Sequence, residues 1–240
     1  MLFFRSLLFS LGMITSTLLF APLSILTFPL SLPQRYAFIS QWARFNLWWL
    51  AVTCKLNYLV EGAENIPDHP CVILCKHQSA WETLALQMIF PQQVWVIKRE
   101  LLWVPLFGWG LAMLKPIAIN RAAARQALRQ LVEQGTQRLT EGLWVVIFPE
   151  GTRVAPGERR PYAPGGALLA HRTSRPVVPV AHNAGEFWPK KGFLKRPGTI
   201  RLVIGLPIAT TGRQASEINT LAEQWIENTM TQISDGVTPK

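Results

Sequence analysis

His77 and Glu82 lie five positions apart in the stretch Cys75-Lys76-His77-Gln78-Ser79-Ala80-Trp81-Glu82-Thr83. An imidazole accepts a proton near neutral pH, and a carboxylate at its other ring nitrogen fixes the tautomer that does so. The preceding run, Cys71-Val72-Ile73-Leu74-Cys75, is short, apolar and partly β-branched, the pattern of a buried strand. The following run, Trp81 to Ile89, reads as a helix. His77 therefore falls where a strand ends and a helix begins, a frequent place for active-site residues in α/β folds. If the chain turns back at the helix start, Glu82 reaches the ring. The same pair also reads as a structural histidine satisfied by a neighbouring carboxylate.

A second segment adds weight to the chemical reading. Phe148-Pro149-Glu150-Gly151-Thr152-Arg153 follows the apolar run Leu143-Trp144-Val145-Val146-Ile147, itself a buried strand by pattern. Its turn combines a tight backbone with a carboxylate, a hydroxyl and a guanidinium. Alone it also reads as a polar strand-to-loop turn with Glu150 and Arg153 as a surface ion pair.

Together the two segments resemble the glycerolipid acyltransferases, above all the bacterial 1-acyl-sn-glycerol-3-phosphate acyltransferases. That family carries Asn-His-Gln-Ser-x-x-Asp, here Lys76-His77-Gln78-Ser79-Ala80-Trp81-Glu82, and Phe-Pro-Glu-Gly-Thr-Arg, here intact at Phe148 to Arg153. Ile117-Ala118-Ile119-Asn120-Arg121 resembles the family's strand ending in Asp-Arg, and Val177-Val178-Pro179-Val180-Ala181 its late Val-Pro-Val strand. The four blocks occur in the family's order, within residues 55 to 208. Among the positions that depart, Glu82 stands for an aspartate and Asn120 for an acidic residue. A glutamate keeps the charge at one extra methylene, so the departures bear on the acceptor more than on the reaction type.

The resemblance implies acyl transfer from a thioester, carried by acyl carrier protein or coenzyme A, to the hydroxyl of lysophosphatidic acid. His77 would remove the hydroxyl proton, and Glu82 would orient the ring and stabilise the imidazolium, the division of labour of a serine-protease triad without its serine. Ser79 lacks a nucleophile elbow, since no Gly-x-Ser-x-Gly occurs. The acceptor phosphate requires cations. Arg153 is the first candidate because a guanidinium binds phosphate oxygens bidentately. Arg121 is the second, and Lys98 resembles a lysine that the family places near the headgroup. Gly151 allows close backbone approach, Thr152 bonds the phosphate or caps the turn, and Glu150 fixes the loop, since its charge repels an anionic acceptor. Other lysolipid or amino-lipid acceptors, a catalytically silent membrane-binding protein and a lipid hydrolase are the competing readings.

Composition sets limits on these readings. Hydrophobic residues make up 49% of the 240 and charged residues 16%, a balance that favours membrane association. The formal net charge of +10 suits an anionic membrane surface or an acidic carrier. Nucleic acid is disfavoured, because neither zinc-finger spacing nor a dense basic run with interleaved aromatics occurs. No nucleotide loop or metal-ligand spacing appears, so no metal and no cofactor beyond the acyl donor is implied. Cys54, Cys71 and Cys75 read as small buried hydrophobes, with Cys71 and Cys75 on one strand face but too far apart to pair easily.

The elements that must position these residues follow from the pattern. No charge occurs between Ser6 and Gln34, and Leu7 to Leu32 is nearly all apolar, long enough to span a bilayer at ~20 residues. Pro22, Pro29 and Pro33 favour two helical pieces over one straight helix. A signal peptide is the alternative, against the length of the run and the lack of a small-residue cleavage pattern. Phe45 to Val52, with Trp48 and Trp49, looks interfacial. Arg35, Arg44 and Lys55 follow the apolar run, which puts the catalytic part on the cytoplasmic side. Residues 1–54 are thus expected to be a membrane-anchoring segment, and 55–240 an acyltransferase α/β domain.

Strands are expected near Leu56–Val60, Cys71–Cys75, Val94–Ile97, Pro116–Ile119, Leu143–Phe148, Val177–Ala181 and Thr199–Ile204. Helices are expected at Trp81–Ile89, Ala122–Gly142, Gly166–Thr173 and Ala215–Ser234. Arg121, Arg125 and Arg129 would form a basic stripe on the second of these. The alternation predicts a mostly parallel sheet flanked by helices. Leu101 to Leu114, with Trp103 and Trp109 and interrupted by Gly108 and Gly110, would line an acyl-chain tunnel, rest on the membrane or simply join the core.

Overall fold

The structure, a computed structural model, describes residues 1–234. Seven strands form one sheet: β1 (Leu56–Glu61), β2 (Val72–Cys75), β3 (Gln93–Lys98), β4 (Ile117–Ile119), β5 (Trp144–Ile147), β6 (Val177–His182) and β7 (Gly198–Ile204). The helices are α1 (Leu2–Leu26), α2 (Leu32–Cys54), α3 (Trp81–Ile89), α4 (Phe107–Ala112), α5 (Ala124–Thr140), α6 (Gly165–Thr173), α7 (Ala184–Phe187) and α8 (Ala215–Ile233). The strand order is β1-β7-β6-β2-β5-β3-β4. Every neighbouring pair is parallel except β6 with β7. The expected mostly parallel α/β architecture is therefore present, and each expected strand lies within two residues of an observed one.

The sheet separates two apolar layers. On one face Ile73, Val146, Val178 and Leu202 meet Leu84 and Leu86 of α3, Ala43, Leu47 and Leu50 of α2, and Phe9 of α1. On the other, Leu74, Val145 and Val177 meet Ala127 and Leu131 of α5, Leu169 of α6, and Ile218, Ala222 and Ile226 of α8. Central strands covered on both sides must be apolar throughout, which is why β2 and β5 read as continuous hydrophobic runs.

Connections diverge at the centre of the sheet. From β2 the chain passes through α3 to β3, beyond β5. From β5 it passes through α6 to β6, beyond β2. The crevice between the carboxyl ends of β2 and β5 is thus a topological switch point, where open α/β sheets hold ligands. His77 follows one of these strands and Phe148–Arg153 the other.

The N-terminal helices differ from expectation in detail. The break between the two helical pieces falls at 27–31, with Pro29, while Pro22 stays inside α1. Ser31 starts α2 with a capping box to Gln34, whose Oε1 accepts the Ser31 N–H at 3.0 Å. The interfacial stretch Phe45–Val52 is the second half of α2. Trp48 and Val52 are exposed there, but Leu47 and Leu50 join the core, because the sheet needs a cover on that face. Both helices share the sheet's core: Phe9 packs edge-on against Trp188, and the Lys195 N–H donates to Ser6 Oγ at 2.9 Å. The expected basic stripe is shorter by one residue, since α5 begins at Ala124 and leaves Arg121 in the preceding turn.

Candidate active site

The switch-point crevice brings the two motif segments together. Leu74 pairs with Ile147, so the residues after each strand are neighbours. The Val154 N–H donates to the His77 carbonyl at 2.7 Å, which binds the end of the hexapeptide loop to the histidine backbone.

His77 Nδ1 is 2.7 Å from Glu82 Oε1. Glu82 sits in the first turn of α3, fully buried, and its carboxylate also accepts the N–H groups of Gln78 (3.1 Å) and Ser79 (2.9 and 3.1 Å). Burial pushes this carboxyl up, yet the hydrogen bonds it accepts from the His77 ring and the Ser79 amide hold it below the ordinary carboxylate range. An ionised Glu82 can only accept, so His77 Nδ1 carries the proton. In the neutral ring that leaves Nε2 with a lone pair. The ring itself lies flat on Phe148, centroids 3.9 Å apart and planes 12° apart, and its side chain keeps 15% exposure. The result is an imidazole locked in tautomer and plane with its basic nitrogen accessible.

A second histidine supports the carboxylate from behind. His182, fully buried at the end of β6, donates from Nε2 to the Lys76 carbonyl at 2.8 Å, while its Nδ1 accepts the Ala184 N–H at 3.2 Å. That pattern fits only the neutral ring, and burial lowers its basicity accordingly. Ser79 is also fully buried, with its Oγ accepting the Trp81 N–H at 3.2 Å. It caps α3 rather than facing an open crevice.

The Pro149–Arg153 turn is held by its backbone. Gly151 adopts φ +68°, a conformation that L side chains rarely adopt, and its N–H returns to the Phe148 carbonyl at 3.0 Å. The Arg121 guanidinium bonds the Gly151 carbonyl, so β4 contributes to the same turn. Asn120, at the departed acidic position, accepts the Ala122 N–H at 3.2 Å and stabilises the bend that aims Arg121. Arg153 is half-buried beside this turn. Lys98 ends β3 further along the sheet edge, exposed, with its ammonium 3.6 Å from Glu100. The structure thus gathers His77, Glu82, Arg121, Glu150, Gly151, Thr152 and Arg153, and places Lys98 outside this hydrogen-bonded group.

Comparison with known proteins gives the family. The family model described as "Acyltransferase" matches residues 57–183, more than half of the chain. The chain belongs to the acyltransferase family. It is 48% identical over 235 residues to the 1-acyl-sn-glycerol-3-phosphate acyltransferase of Pseudomonas aeruginosa, covering 96% of this chain and 91% of that protein. It is 31% identical over 156 residues to the human 1-acyl-sn-glycerol-3-phosphate acyltransferase beta, covering 64% of this chain and 56% of that one. In fold it is similar to the 1-acyl-sn-glycerophosphate acyltransferase of Thermotoga maritima, with a TM-score of 0.80, 21% identity and coverage of 98% and 97% of the two chains.

This acyltransferase carries a buried ionic cluster beneath the turn that the sequence did not disclose. The Lys76 ammonium, 1% exposed, is 2.6 Å from Glu227 Oε1 and 3.3 Å from Glu150 Oε1. Tyr162 donates to Glu227 Oε1 at 2.9 Å, and Arg159 lies 3.5 Å from Glu227 Oε2. Glu150 therefore turns inward and faces Lys76 and the His77 amide, the latter at 3.5 Å. Burial pushes its carboxyl up to about 7, against the pull of the Lys76 ammonium and the hydrogen bond from the His77 amide. Lys190 was also missed. Its ammonium donates to Thr152 Oγ1 at 3.0 Å and to the Arg153 carbonyl at 2.9 Å, adding a cation to the turn. The available signals were faint: a carboxylate, Glu227, between the apolar positions of α8, and a Lys190-Lys191 pair after a proline.

Proposed function

We propose that this protein transfers a fatty acyl group from an acyl thioester to the sn-2 hydroxyl of 1-acyl-glycerol-3-phosphate, giving phosphatidic acid. The observation that carries the reading is the His77–Glu82 pair, with Nδ1 committed to the carboxylate and Nε2 free. An alcohol is a poor nucleophile, and its proton must leave as the carbon–oxygen bond forms. His77 Nε2 accepts that proton, Glu82 stabilises the resulting imidazolium, and the hydroxyl oxygen attacks the thioester carbonyl directly. Collapse of the tetrahedral intermediate expels the thiolate, which takes the proton back from His77. The donor is acyl-[acyl carrier protein] or acyl-coenzyme A, a co-substrate rather than a bound cofactor.

Arg153, Arg121 and Thr152 are the proposed partners of the acceptor phosphate, with Lys98 reaching from the neighbouring strand end. The relatives' names support lysophosphatidic acid as acceptor. α1 is the one helix among the described residues long and apolar enough to cross a membrane, with a mean hydropathy of 1.8. It packs on the catalytic core through Phe9 and Ser6 while exposing Leu11, Ile14, Leu18 and Leu23. That arrangement suits a helix held against the lipid surface by the domain it anchors, on the cytoplasmic face of the membrane by the charge bias.

The test is acyl transfer by purified protein in detergent, from each donor, to lysophosphatidic acid and to a panel of other lysolipids and amino-lipids. Preferred turnover of lysophosphatidic acid supports the reading. Preference for another acceptor would reassign the substrate, and release of free fatty acid without transfer would replace the reaction.

A further inference from the structure

The segment after β3 has an unusual disposition of large and small residues. A short 3-10 turn, Arg99–Trp103, leads into α4. Gly108 is buried where a Cβ would come within 2.5 Å of the Leu101 and Leu102 carbonyl oxygens. Gly110 is buried against α1, where a Cβ would lie 3.5 Å from Ser24 and 3.7 Å from Ala21. The glycines thus face the protein and the large apolar residues face out. Trp103 is 64% exposed and Trp109 49%, with Val104 and Phe107 beside them in the sequence and also exposed. A helix facing water would carry the opposite arrangement.

Three observations identify what covers this surface. First, it is continuous with α1, since Gly110 packs on Ala21 and Ser24 while Leu18, Leu19, Leu23 and Leu26 of α1 stay exposed. Second, the exposed rings are tryptophans accompanied by cations: the Arg99 guanidinium lies 5.4 Å from the Trp103 ring centroid, and Lys98 precedes it. Tryptophan with arginine and lysine is the composition of the bilayer's headgroup level, where each has an apolar body and a polar or charged tip. Third, the segment starts at the carboxyl end of β3, the sheet edge that also carries His77.

We propose that Arg99–Ala112 is a second membrane-inserting element, seated among anionic lipid headgroups beside α1, and that it holds the bilayer against the sheet edge where the reaction takes place. This rests on the reading that α1 faces lipid. With both elements engaged, an acceptor with its acyl chain in the leaflet has its headgroup beside Lys98 and the crevice. Docking through α1 alone would leave the crevice free to tilt away from the surface.

The test uses the full chain with one introduced cysteine at a time. Cys54, Cys71 and Cys75 are buried, so an exposed new thiol takes an environment-sensitive fluorophore selectively. Labels go at Trp103→Cys and Trp109→Cys, at Leu18→Cys on α1, and at Ser216→Cys on α8 as the aqueous reference. Each protein is bound to phosphatidylglycerol–phosphatidylethanolamine vesicles with and without a lipid-attached quencher. The expected result is a blue shift and strong loss of emission to the quencher at 103, 109 and 18, with neither at 216. If 18 is quenched while 103 and 109 behave like 216, the second element is refuted and the α1 reading stands. If 18 also behaves like 216, the reading beneath it falls as well.

Discussion

Glu150→Gln should stabilise this protein at alkaline pH while impairing it as an enzyme. Glu150 is 7% exposed, its Oε2 has no hydrogen-bond partner, and it shares the Lys76 ammonium with Glu227, which sits closer at 2.6 Å. Its carboxyl is pushed from an ordinary 4.5 up to about 7. The folded chain therefore keeps a proton on Glu150 at pH values where the unfolded chain has released it. Stability falls as pH rises from 4.5 towards 7 and then levels off, the opposite of a salt-bridged carboxylate with a depressed value. At about 1.4 kcal/mol per pH unit, the ionised form costs about 3 kcal/mol above pH 7. A glutamine removes that cost but buries an amide N–H with no acceptor, at about 1–2 kcal/mol. The net gain is about 1–2 kcal/mol at pH 8, or about 2–8 °C in Tm for a chain of this size. At pH 5 most of the gain is gone, and the variant should be equal to or slightly less stable than the parent. Turnover at pH 8 should fall by about tenfold, because a charge-assisted contact to the His77 amide is lost. The assay is thermal unfolding in detergent at pH 5 and pH 8, with turnover on the same samples. A Tm difference that is negative and equal at both pH values would refute the reasoning, since it would mean that the carboxylate is stably ionised in place.

Further expectations follow from the same geometry. Glu82→Gln should cut turnover by about a hundredfold or more, because an amide in that position cannot stabilise the imidazolium and sets a second donor against the Ser79 N–H. Glu82→Asp should keep part of the activity, since the charge remains but the carboxylate draws back by one methylene. Arg153→Ala should raise the apparent KM for lysophosphatidic acid about ten- to a hundredfold, and much less for a neutral monoacylglycerol at fixed donor. Arg153→Lys should recover only part of the loss, lacking the bidentate fork. An equal loss on both acceptors would remove Arg153 from phosphate recognition.

The parts of the molecule legible in the sequence were those governed by local pattern. β2 and β5 are uninterrupted apolar runs because both faces are covered, and α3 begins where Glu82 and an apolar period begin. The His77–Glu82 contact was legible too, since both ends lie within one strand–turn–helix unit. What stayed hidden depends on long-range proximity. Lys76 stood in plain view beside His77, but its direction is decided by Glu227, 151 positions away on α8. Lys190 reaches Thr152 from 38 positions further along the chain in the same way. The full extent of α2 was missed because its composition is mixed: one side completes the core, and Trp48 and Arg44 face outward, so neither a uniform apolar run nor a clear period marks it. The same blending concealed α4, whose glycines look like helix breakers and serve instead as contact surfaces.

The most direct test of the central claim is the rate of phosphatidic acid formation by purified His77→Ala protein, beside the parent, with an acyl thioester and lysophosphatidic acid. Folding of the variant is verified by an unchanged unfolding profile. Loss of the base should lower turnover by about a hundredfold to ten-thousandfold, with little change in the acceptor KM. Folded His77→Ala protein that still forms phosphatidic acid at close to the parent rate would contradict the assignment of His77 as the group that takes the hydroxyl proton.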